Sequence, residues 1–148
     1  MAFWNFGKTN GSEAKPHNES ASPKDIAIDI STSIIDFQLK LAGQLPGFEQ
    51  AFCSNFTRGY FVGCFNAAMQ AFKIDGYQDD ARLAAFIAIG HIKLLGEEHG
   101  VKFAGQSMSL QGNRDYDLGN RTGGQELIDY LNKKIDTPTQ LFKYFKGN

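Results

Sequence analysis

Between Arg58 and Lys73 the chain carries no charge, and two glycines four residues apart, Gly59 and Gly63, stand inside that stretch. An uncharged run of this kind can fold only as a segment buried around most of its circumference. It is too short to cross a bilayer, which takes about 20 apolar residues, and Asn66 and Gln70 interrupt it, so a central core helix is expected. On a helical wheel Phe52, Phe56, Gly59, Gly63, Asn66 and Gln70 share one side. Phe61, Phe65, Met69 and Phe72 lie mostly opposite. Glycine inside a helix costs about 1 kcal/mol relative to alanine, so two on one side predict a close backbone approach by another element.

The same pattern recurs sixty positions later. Tyr116, Gly119 and Gly123 match Phe56, Gly59 and Gly63, and each run leads to a Lys-Ile-Asp at 73–75 or 134–136, with one extra residue in the second copy. The segment bearing Gly119 and Gly123 is therefore the expected neighbour of Gly59 and Gly63. Asn66 or Gln70 is expected to bond its backbone, because a buried amide without a partner costs about 1–3 kcal/mol.

Thirteen phenylalanines and few valines favour helices. The expected fold is all-α: four main helices plus a short C-terminal one in a domain spanning 22–148, preceded by an N-terminal arm over 1–21. The arm has an aromatic tip, Phe3, Trp4 and Phe6, followed by a polar stretch poor in residues to bury. Ser22-Pro23 opens the first helix as N-cap and N1, and Ile26, Ile30, Ile34, Phe37 and Leu41 mark its expected core face. The alternation of Ile26, Ile28 and Ile30 would also suit a strand. The central helix is expected over 48–74, the third over 78–99, a loop over 101–112, and the fourth over 115–135. Thr137-Pro138 signals the start of the last helix.

The net charge of −1 leaves no electrostatic footprint for nucleic acid or an anionic membrane. The first residues lack the long apolar core of a secretory signal. Cys53 and Cys64, on one helix, would stand about 16 Å apart, too far for a disulfide. Free thiols then point to a reducing cytoplasm.

No catalytic motif or cofactor signature is legible. His91, Glu98 and His99 are the metal candidates, since imidazole and carboxylate together suit zinc or iron, although neither HExxH nor paired ExxH spacing is present. The alternative for His91 is a neutral core side chain with one hydrogen-bond partner. Asn66, Gln70, Asn120 and Arg121 are the ligand-binding candidates. The run Gly119–Gly124 resembles a phosphate loop only superficially, and no strand precedes it. The aromatic tip and the small-residue faces favour a non-enzymatic interaction or regulatory protein that binds a protein partner or itself. The alternative is a metal- or small-ligand-binding protein, enzymatic in one version, using His91, Glu98 and His99.

Overall fold

The computed structural model describes residues 21–147, so the expectations for Phe3, Trp4 and Phe6 lie outside the described residues. Seven helices and no strand occur among the described residues. They are α1 (Pro23–Ala42), α2 (Phe48–Phe52), α3 (Asn55–Ala71), α4 (Asp80–Leu95), α5 (Glu97–Met108), α6 (Arg114–Leu131) and α7 (Gln140–Lys146). The four main helices and the short terminal one are thus present, and local chemistry divides two of the expected spans. Ser54 interrupts the first: its hydroxyl accepts from Thr57 N at 3.3 Å and starts α3 afresh. Gly96 interrupts the second at φ 92°, a conformation that an L side chain resists, so α4 ends at Leu95. The segment expected as a loop over 101–112 is instead helical as far as Met108.

The centre of the molecule is the seam between α3 and α6. A Cβ built on Gly59 would fall 2.0 Å from Tyr116 O, and one on Gly63 2.1 Å from Asn120 O. Reciprocally, Gly119 meets Phe56 O at 2.0 Å and Gly123 meets Tyr60 O at 2.3 Å. Rising numbers meet rising numbers, so the two helices run parallel, backbone against backbone. The contact expected from the matching glycines is present. The amides do not behave as expected: Gln70 Nε2 donates to Asn66 Oδ1 at 3.0 Å on the exposed surface, so the two amides bond each other rather than the α6 backbone. Gly119–Gly124 lies inside α6, where its amides serve the helix rather than a phosphate loop.

Around this seam, α4 and α5 form a pair, and α1 packs on α3, α4 and α7. Arg58 ties α3 to α5, donating to Phe103 O at 3.3 Å and Ser107 Oγ at 3.1 Å, with its guanidinium 4.0 Å above the Phe103 ring. The α7 helix starts at Gln140, later than Thr137-Pro138 suggests, because its amides are capped by other helices. Glu126 accepts from Thr139 N at 2.7 Å and from Gln140 N at 3.1 Å, while Gln38 Oε1 accepts from Leu141 N at 2.9 Å and Phe142 N at 3.0 Å. Tyr60 joins the two caps: its hydroxyl donates to Glu126 and accepts from Gln38 Nε2. Burial foremost, then the charges of Cys64 and Glu126, pushes the Tyr60 hydroxyl well above its ordinary pKa, so it stays protonated as the donor.

Candidate functional site

The first helix has more apolar surface than the core uses. Its buried residues are Ala27, Ile28, Ser31, Thr32, Ile34, Ile35, Gln38 and Ala42. The stripe expected to face inward is turned about 120° from that arc on the wheel. Ile34 alone of that stripe is buried; Ile30 is partly covered, and Ile26, Phe37 and Leu41 are 38%, 43% and 50% exposed. The physical reason lies in the polar residues of the buried arc, which are satisfied without water. Ser31 Oγ donates to Ala27 O at 2.6 Å, Thr32 Oγ1 to Ile28 O at 2.8 Å, and Gln38 is spent on Tyr60 and α7. Polar residues that bond locally can enter a core and leave larger apolar neighbours outside.

The exposed stripe borders a groove of about 460 Å³ whose walls include Ile30, Phe37, Tyr130 and Pro138. Tyr130 is itself 38% exposed. Along α1 the stripe is palindromic: Ile26 and Leu41, Ile30 and Phe37, and Ser33 and Ile34 are equidistant from one midpoint. One flank is charged, with Asp36 paired to Lys40 at 3.0 Å and Asp29 paired to Lys93 of α4 at 3.0 Å.

Comparison with family models, with curated proteins and with solved structures returns no match. The residues alone therefore carry the functional reading.

The metal candidates do not share one face. His91 is fully buried among Phe61, Phe65 and Phe103, with Nδ1 2.8 Å from Ile87 O. Burial lowers its pKa to about 4, overriding the bond to Ile87 O, so the ring is neutral near pH 7. Glu98 and His99 are exposed on α5, beyond the break at Gly96. Among the described residues no group of three or more His, Cys, Asp or Glu side chains is placed to hold a metal ion. Both cysteines are free, Cys53 exposed and Cys64 buried with its thiol 3.4 Å from Gly123 O. Among the described residues no helix is long and apolar enough to cross a membrane.

The ligand candidates separate. Asn66 and Asn120 line one cleft between α3, α4 and α6; Arg121 lines a different one; Gln70 is on the surface. Tyr116, in the wall of the cleft with the two asparagines, escaped the sequence reading, where it served only as the aromatic mark of the repeat.

Proposed function

We propose that the chain is a non-enzymatic helical interaction module, and that the exposed face of α1 docks a second copy of itself in antiparallel register. The observation that carries this reading is the outward stripe of Ile26, Phe37 and Leu41, with Ile30 half-buried between them, on a helix that already buries another face. Exposed apolar residues scattered singly need no explanation, whereas an aligned set beside a groove marks an interaction surface. Two-fold contacts require a patch complementary to itself, residue i meeting j and j meeting i. The symmetric pairs Ile26 with Leu41 and Ile30 with Phe37 meet that requirement, with exposed Ser33 beside the axis. The same register sets Lys40 level with Asp25 and Asp29 of the other copy. It also brings Asp36 near Asp29, each of which has its own cation in Lys40 or Lys93. The stripe is about 22 Å long. Specific dimers bury roughly 800 Å² per partner, so the docked face extends over Tyr130 and the 136–138 rim.

Light scattering and sedimentation of the full chain, from micromolar to millimolar, test this. A dimer is expected, converted to monomer by Phe37→Asp or Leu41→Asp with the helical circular dichroism unchanged, since both side chains are about half exposed on a face that the core does not use. In a Cys53→Ser background, Ser33→Cys at the axis should cross-link on mild oxidation and Ile26→Cys should not. A strict monomer overturns the reading. So does a monomer that dimerises only after removal of residues 1–20, which would put the chain's own N-terminal segment on the stripe.

A further inference from the structure

On the other side of α3 lies a cleft of about 430 Å³, closed by α4, the end of α5 and the start of α6. Its polar lining is Asn66, Asp80, Gln111, Tyr116, Asp117 and Asn120, and its apolar lining includes Val62, Leu83, Ile87 and Met108. No lysine, arginine or histidine lines it, so two carboxylates stand there without a cation in the wall. The α6 start is set by Asn113, which accepts from Asp115 N and Tyr116 N at 3.1 Å, and Asp117 accepts from Gly112 N at 3.2 Å. These bonds fix the direction in which Tyr116 and Asp117 leave the helix.

Tyr116 is 1% exposed, yet its hydroxyl has no hydrogen-bond partner among the described residues. Buried hydroxyls are almost always bonded. Burial first, and the charge of Asp117 second, raises its pKa to about 12, so the phenol is neutral and can donate and accept. A buried hydroxyl without a partner, amides on two facing helices, and two carboxylates with no cationic side chain in the lining converge on one cleft.

The geometry points to a binding site for a small organic amine: its ammonium is held by Asp80 and Asp117, its apolar body rests on Leu83, Ile87 and Met108, and a further polar group reaches the Tyr116 hydroxyl. Anions are disfavoured by the same two carboxylates. Asn66 and Asn120, each with donor and acceptor atoms, select among amines by their remaining polar groups. The site is independent of the α1 face, so either can fail without the other.

The test is a ¹⁵N nuclear magnetic resonance titration of the full chain with putrescine, phenethylamine and tyramine. Its counter-probe is 3-(4-hydroxyphenyl)propionate, which resembles tyramine in shape with the charge reversed. At least one amine should give saturable shifts centred on the cleft, and the propionate should give none. Asp80→Asn with Asp117→Asn should weaken that amine about tenfold or more, as loss of a charge-assisted bond does. Tyr116→Phe should weaken the probe bearing a second polar group about three- to tenfold and leave phenethylamine unchanged. Both variants change groups at the cleft wall, and an unchanged melting temperature certifies their folds. No saturation by about 10 mM for any amine overturns the proposal. Equal binding of amine and propionate, or amine binding indifferent to both carboxylate changes, overturns it as well.

Discussion

Gly63→Ala is the most direct perturbation of the seam that organises this fold. The added methyl carbon would sit 2.1 Å from Asn120 O, where real contacts rarely fall below 3.0–3.4 Å. The obstacle is backbone, so no side chain can swing aside, and α3 and α6 must separate by about 1 Å. A gap of that size forfeits roughly a quarter to a half of each dispersion contact across the interface. Overpacking of this kind costs about 1–3 kcal/mol, with the upper end expected where main chain meets main chain. Alanine returns about 1 kcal/mol of helix propensity. The net is a destabilisation of about 2 kcal/mol, which for a chain near this size lowers the melting temperature by roughly 4–8 °C. Gly105→Ala supplies the control: it lies within α5 with nothing within 4 Å of its Cβ position, so alanine there should stabilise by up to about 1 kcal/mol. Thermal unfolding followed by circular dichroism reads both. One separation relieves both clashes, so Gly63→Ala with Gly119→Ala should cost less than the two apart. A rise in melting temperature for Gly63→Ala, matching Gly105→Ala, would refute the close approach.

Two further outcomes are expected. His91, buried and with its pKa near 4 against an ordinary 6.5, favours the folded state fully above pH 6.5 and withdraws that support as pH falls towards 4, by about 3 kcal/mol in all; His91→Phe should flatten this part of the stability–pH curve, and an identical curve for both proteins would contradict it. Glu126→Ala leaves the Tyr60 hydroxyl and the amides of Thr139 and Gln140 without their acceptor, so stability should drop by about 3 kcal/mol or more and hydrogen exchange over 139–146 should quicken; a drop below about 1 kcal/mol would mean that α7 does not depend on this cap.

The seam was the most legible part of the fold. Glycines at helical spacing have few uses inside an uncharged run, and the echo at Tyr116, Gly119 and Gly123 named the neighbour in advance. The start of α1 was equally plain, because Ser22 caps Asp25 N locally at 3.1 Å. What failed were the features decided at long range. Gln38 looks like a surface residue, and only the arrival of α7, over a hundred positions later, makes it a buried cap. That cap draws one arc of α1 inward and leaves Phe37 and Leu41 outside, which no periodicity could have indicated. The 101–112 segment lacks a clean apolar face because Arg58 covers Phe103 from above and Ser107 is buried beneath it, so its helical character was hidden. Of the site residues, the pairing of Asn66 with Asn120 across one cleft follows from the seam, whereas the buried hydroxyl of Tyr116 could be found only in three dimensions.

The parallel course of α3 and α6 bears on how the chain reaches its native state. Antiparallel neighbours can zip together from a tight turn, but parallel ones need the chain to travel back along their full length before any contact forms. Here that return journey is made by α4 and α5, and every contact of the seam joins residues about sixty positions apart. Loop-closure entropy must be met before such contacts form, and mean sequence separation is what slows small domains. The α4–α5 pair, joined only at Gly96, can form early and shorten the loop that remains to be closed. The protein should therefore fold slowly for a helical chain of its size, with its most tightly packed interface among the last to assemble.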